Sequence, residues 1–161
     1  MNLKYYFFNH YFKLIHKQSE FFPKKLHDLK DCPEVLFVLG NEKILNSISV
    51  SIVGTRNAST LGNDISFELS QKLSEYNVTI VSGLADGIDT ASHNGSLDAG
   101  NTIAVIACGF NYIPSKKIHL IQKILENGGA IISEYFPDTP AQKFSFLNRN
   151  RIIAALSEAT I

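Results

Sequence analysis

From residue 47 onward the chain alternates short apolar runs with longer amphipathic stretches. Val50-Ser51-Ile52-Val53, Val78-Thr79-Ile80-Val81, residues 102–107 and Ala130-Ile131-Ile132-Ser133 read as strands with little polar alternation. Strands of that kind are covered on both faces and belong to parallel sheets, whereas a half-exposed strand alternates apolar with polar positions. Between them, residues 63–75 place Ile65, Leu69 and Leu73 at four-residue spacing, and residues 87–98, 118–126 and about 148–157 also read as helices. Strand and helix in alternation predict an α/β fold, a Rossmann-like doubly wound, mostly parallel sheet with helices on both faces. Ala159-Thr160-Ile161 reads as the start of one more buried strand, so the predicted sheet is incomplete at its C-terminal end.

Upstream, Val35-Leu36-Phe37-Val38-Leu39 reads as a strand closed by a Gly40-Asn41 turn. Phe8, Phe12 and Ile15 recur at helical spacing, so residues 3–18 are expected to form a short amphipathic helix that serves as packing surface. The expected division is therefore an aromatic helical segment over residues 1–20 and one domain over residues 21–161. His10, Lys13, His16 and Lys17 interrupt the aromatic segment well before the roughly 20 apolar residues of a membrane span. No small-residue cleavage site follows it, so no membrane association and a cytoplasmic location are expected.

Composition changes this picture little: 161 residues with 45% hydrophobic and 19% charged positions suit one packed domain and argue against disorder. Charge changes it more. Fifteen Lys and Arg balance fifteen Asp and Glu, so no bulk positive field announces a nucleic-acid binder. The cations are instead local: Lys72 is the only one between Asn57 and Ser115, whereas residues 139–157 carry Lys143, Arg149 and Arg151 and no acid. Cys32 and Cys108 lack any ligand spacing and read as reduced thiols.

In an open parallel sheet ligands sit beyond the carboxyl ends of the strands, and three segments fall at that edge. Gly54-Thr55-Arg56 leaves the first strand of the regular pattern with a flexible turn, a hydroxyl and a guanidinium suited to phosphate. By itself it reads equally well as a turn with an incidental surface arginine. Ser82-Gly83 leaves the next strand, offering a hydroxyl and an amide, and Asp86 or Asp89 is placed to cap the helix that follows. Asp89 and His93, four apart, fit either a metal or acid–base pair or an ordinary helix-surface pair. The third segment, residues 143–151, interleaves Lys143, Arg149 and Arg151 with Phe144 and Phe146, a combination suited to phosphates and unstacked bases or, equally, to core rings beside a solvated helix start. There is no GxxxxGK[ST] loop, no GxGxxG and no GxSxG elbow, so the usual signatures of nucleotide hydrolysis, dinucleotide redox chemistry and acyl transfer are missing.

Taken in series, these segments resemble the DprA/Smf family. The resemblance runs through Ser51-Ile52-Val53-Gly54-Thr55-Arg56, Gly62, residues 80–89 with Ala91 and His93, Cys108-Gly109, Ile132-Ser133-Glu134-Tyr135 and residues 146–153. It covers roughly residues 21–161. The resemblance implies a non-enzymatic, cofactor-free and metal-free DNA-processing protein of bacterial natural transformation, one that binds and protects incoming single strands and helps load the RecA recombinase. Carried over by position, its pocket is Arg56, Ser82, Gly83, Lys143 and Phe146, with Gly54, Thr55 and Asn148 in support, and the Arg149 and Arg151 of the Arg-Asn-Arg segment beside them. Family cores continue beyond the strand at Ala159 with elements that complete the sheet and contribute to a homodimer. Residues 111–115 depart from the family's Tyr-Pro-x-x-Asn pattern. Two other readings remain: a nucleotide-cleaving enzyme similar to the LOG phosphoribohydrolases, whose PGGxGTxxE pattern is missing and for which Glu134 is the available carboxylate, and a scaffold whose aromatic N-terminus docks a partner.

Overall fold

Among the described residues, sheet pairing places seven strands in the order β1-β2-β6-β5-β4-β3-β7. The structure, a computed structural model, describes residues 12–99 and 102–161. The strands are β1 (Lys13–His16), β2 (Val35–Gly40), β3 (Ser49–Ser51), β4 (Thr79–Ser82), β5 (Thr102–Val105), β6 (Ala130–Ser133) and β7 (Ala159–Thr160). Among the described residues four α-helices link β3 to β7 in succession: α1 (Thr60–Glu75), α2 (Ile88–Ser96), α3 (Ile118–Glu126) and α4 (Lys143–Leu156). Strands β3 to β7 are mutually parallel, while β1 and β2 form an antiparallel edge against β6. The Rossmann-like architecture expected from the alternating pattern is the one observed, with the antiparallel edge added.

The two faces of the sheet bury different sets of side chains because successive residues of a strand point to opposite sides. Ala104 and Ile106 of the β5 region pack with Leu120, Ile121 and Ile124 of α3 on one face. Ile103 and Val105 pack with Ile152, Ile153 and Leu156 of α4 on the other. No helix among the described residues is long and apolar enough to cross a membrane.

Three local expectations are corrected. Residues 13–16, expected in a helix over 3–18, form strand β1; Ile15 is buried while Leu14 is exposed, a period-two pattern imposed by pairing with β2. Residues 17 and 18 form a turn, and residues 3–11 of that helix, with most of the aromatic segment, lie outside the described residues. In α1 the buried positions are Ser66, Ser70 and Ser74, while Leu61 and Ile65 face outward. The reason is α2: a side chain on Gly95 would stand 2.2 Å from the Phe67 carbonyl, so the two helices approach through small residues. Ser66 and Ser70 donate their hydroxyls to carbonyls of their own helix, Gly62 and Ser66, which removes the cost of burying them. Finally, α4 begins at Lys143, five residues before the apolar periodicity announces it, with the Gln142 N–H donating to Ser145 Oγ at 3.2 Å.

Candidate nucleic-acid interface

The chain passes from β3 outward through β4, β5 and β6, then returns through α4 to lay β7 on the opposite side of β3. The connections from β3 to β4 and from β6 to β7 thus run to opposite sides of β3, and in doubly wound sheets such a reversal opens a crevice at the carboxyl ends of the strands. A cavity of about 450 Å³ lies there, lined by Gly54, Arg56, Asp89, Phe146, Arg149 and Thr160 among others. A second hollow of about 270 Å³ adjoins it, sharing Arg56, Phe146 and Arg149 and extending over Leu84 and Cys108 to Lys116.

Asp89, near the start of α2 and only 4% exposed, braces the crevice. One carboxylate oxygen accepts the Gly54 N–H at 3.3 Å; the other accepts the N–H groups of Gly83 at 3.1 Å and Ala85 at 3.3 Å. The last two bonds straddle Leu84, which holds a left-handed φ of 59° with its side chain in the core. A non-glycine residue keeps that conformation only where its surroundings over-determine it, and the double anchor supplies the constraint. Gly87 completes the junction: its φ is 74°, and a Cβ there would meet the Thr55 carbonyl at 2.3 Å.

Arg149 is the second brace. The residue is 6% exposed, and its guanidinium donates through Nη1 to the carbonyls of Gly83, at 2.7 Å, and Val105. Burial pulls this guanidinium below its ordinary pKa, and the negative charge of Asp89 opposes the shift. Gly83 is required where it stands, because a Cβ would lie 2.6 Å from Arg149 Nη1. Two carboxyl strand ends, β4 and β5, are thereby tied to α4 from beneath the cleft.

These braces change how several expected site residues serve. The Gly54 and Gly83 amides, expected to offer N–H groups to an anion, give them to Asp89. Ser82 is buried and donates its hydroxyl to the Ile52 carbonyl at 2.7 Å, so it joins β4 to the β3 segment instead of facing a ligand. Arg56 and Phe146 do meet: the guanidinium lies over the ring, 5.3 Å from its centroid. Thr55 is exposed beside them and its hydroxyl accepts the Asn57 N–H at 3.2 Å. The early start of α4 puts Lys143 and Phe146 three residues apart on one helical face, with Lys143 exposed at its first turn. Asn148 is exposed, but it lines neither cavity. Arg151 lines neither as well; its guanidinium holds Asp31 at 2.6 Å and Glu134 at 2.6 Å.

Other candidate groups are committed elsewhere. His93 is wholly buried with Nδ1 2.7 Å from Thr102 Oγ1, and burial, reinforced by Lys117 and Arg149, pushes its imidazole down to about 3. With Asp89 on backbone amides and His93 on Thr102, the metal or acid–base pair is not formed, and no cluster of three His, Cys, Asp or Glu side chains suited to a metal occurs among the described residues. Burial raises the Cys108 thiol to about 11, against the charge of Arg149, which suits a structural role. Asp86 does not cap α2: it binds Lys116 at 2.6 Å and Lys117 at 2.8 Å. This ion cluster at the far lip of the second hollow was not singled out from the sequence, where only adjacency of two lysines marks it.

Fold and site together define a Rossmann-like α/β protein with a braced switch-point cleft, walled by an arginine and a phenylalanine. The chain belongs to the DprA/Smf family: the family model for DNA recombination-mediator protein A matches residues 13–161. It is 39% identical to Protein Smf of Escherichia coli over 155 residues, which are 95% of this chain and 41% of that protein. It is 40% identical to DNA processing protein DprA of Bacillus subtilis over 146 residues, 89% of this chain and 49% of that one. The chain thus spans less than half the length of these two curated relatives. Among solved structures it is similar to DNA processing protein A of Helicobacter pylori, described for a unique single-stranded DNA binding mode, with a TM-score of 0.85 and 32% identity over 94% of this chain and 68% of that one. DprA of Streptococcus pneumoniae gives a TM-score of 0.83 and 37% identity, covering 92% of this chain and 53% of that one.

Proposed function

We propose that this chain binds single-stranded DNA without sequence preference, protects incoming strands during natural transformation and assists RecA loading, acting by binding and not by catalysis. The Arg56–Phe146 pair at the open switch-point cleft carries the reading. A guanidinium supplies a bidentate phosphate contact and an aromatic ring accepts a base of any identity, which is what a sequence-tolerant single-strand site needs. Arg56 covers one side of the ring, so an incoming base uses the other side or displaces the guanidinium. Lys143 adds charge on the same helical face, with Thr55 and Asn148 as neighbouring polar groups. Gly54, Ser82, Gly83 and Arg149 serve this site by holding its loops, and Arg151 stays with its carboxylates. Against the phosphoribohydrolase reading, Glu134 is bound to Arg151 and lines neither cavity. In this proposal RecA and a second copy of the protein are the further partners.

Fluorescence anisotropy with labelled oligo-dT over a salt series tests the site. Arg56→Ala is expected to weaken binding about tenfold and to lower the slope of log affinity against log salt by about 0.7, the share of one single-strand phosphate. An unchanged affinity and slope would remove Arg56 from the interface.

A further inference from the structure

The ion cluster at the far lip of the second hollow carries an excess positive charge. Lys116 and Lys117 share one carboxylate, Asp86, which the lysine hydrogen bonds hold down to about 2 and therefore ionised at neutral pH. The two lysines are not equivalent. The Lys117 side chain is 9% exposed, lies 2.8 Å from Asp86 and donates to Thr90 Oγ1 at 2.8 Å, so it cannot leave without stranding a buried ammonium. The Lys116 side chain is 65% exposed and pairs with the same, half-exposed carboxylate at 2.6 Å. Lys117 alone neutralises Asp86, which leaves Lys116 free to exchange one exposed ion pair, worth little in water, for another anion.

The position of Lys116 decides which anion. Lys116 and Arg56 line the same hollow, whose lining also includes the apolar side chains of Leu84, Ile106, Cys108 and Ile113. We propose that the bound single strand crosses this hollow from the Arg56–Phe146 pair to Lys116, whose ammonium takes a further backbone phosphate while Lys117 keeps Asp86. This rests on the single-strand reading of the Arg56–Phe146 site, and it assigns Lys116 a binding role while Lys117 and Asp86 become positioning residues.

The test uses oligo-dT of about 20 nucleotides, longer than one binding site requires, over a salt series with the whole chain. Lys116→Gln is expected to weaken binding about threefold and lower the salt slope by about 0.7, Lys116→Arg to restore both, and the double variant with Arg56→Ala to lower the slope by about 1.4. Lys24→Gln, an exposed lysine that lines neither cavity, controls for general loss of charge and should leave the slope unchanged. Thermal melting of each variant confirms that it is folded. If Arg56→Ala reduces the slope and Lys116→Gln does not, the crossing is wrong and the pocket ends at Phe146. If Lys24→Gln matches Lys116→Gln, the cluster contributes only general charge. If Arg56→Ala has no effect, the failure is that of the single-strand site itself.

Discussion

Replacing Asp89 by alanine should strongly destabilise the protein, although the residue sits beside a surface cleft. The carboxylate serves three amides, and their environments differ. Gly54 is exposed, so its N–H regains water at little cost. Gly83 is buried, and an unpartnered buried amide costs about 2–3 kcal/mol; half-buried Ala85 adds about 1 kcal/mol. Release of the strained Leu84 backbone returns part of this, but the turn then loses its geometry. The sum is about 3–4 kcal/mol, a large share of the 5–15 kcal/mol typical of a single domain. With a urea m-value of about 2 kcal/mol/M, the midpoint should fall by about 2 M. Asp89→Asn keeps one oxygen but turns an amide group toward N–H donors, so about half that loss is expected. Oligo-dT affinity should fall in the asparagine variant although a negative charge has been removed from beneath the cleft, because the loops carrying Arg56 and Gly83 loosen. A loss under about 1 kcal/mol in the alanine variant, or tighter DNA binding by the asparagine variant, would refute the brace.

Three further outcomes follow from the same geometry. Phe146→Ala should cost about 1–3 kcal/mol of oligo-dT binding with the salt slope unchanged, because a stacking surface is removed and no charge; a falling slope would show that the ring only positions Arg56. Arg151→Met should leave oligo-dT affinity within about twofold while lowering stability by about 1–2 kcal/mol, as two partly buried ion pairs are lost; a large loss of affinity by anisotropy would return Arg151 to the interface. His93 is held neutral, its pKa lowered from 6.5 to about 3 mainly by burial, so the unfolded state binds the extra proton between those values. Stability is therefore full above about pH 6.5 and falls with pH below it, by up to about 1.4 kcal/mol per unit from this group; urea midpoints at pH 7.5 and 5 should show a drop that is smaller in His93→Gln.

The apolar runs of β4, β5 and β6 and the helices between them were legible in the sequence because a strand covered on both faces has no polar alternation to hide it. The same linear pattern placed Gly54-Thr55-Arg56 and Ser82-Gly83 at one sheet edge, since connection order alone puts loops after parallel strands on the same side. Other features depended on partners distant in the chain. Residues 13–16 carry a helix-like spacing, yet edge pairing with Val35–Val38 makes them a strand. Helix α1 turns its serines inward because Gly95 lets α2 approach too closely for leucine or isoleucine. Among the cations of residues 143–151 the sequence could not rank members, and burial ranks them: Arg149 is spent on carbonyls of Gly83 and Val105, Arg151 on Asp31 and Glu134, while Lys143 stays at the surface. Chain order determines which loops share an edge; whether a charged group there faces solvent or braces the backbone depends on what the fold packs against it.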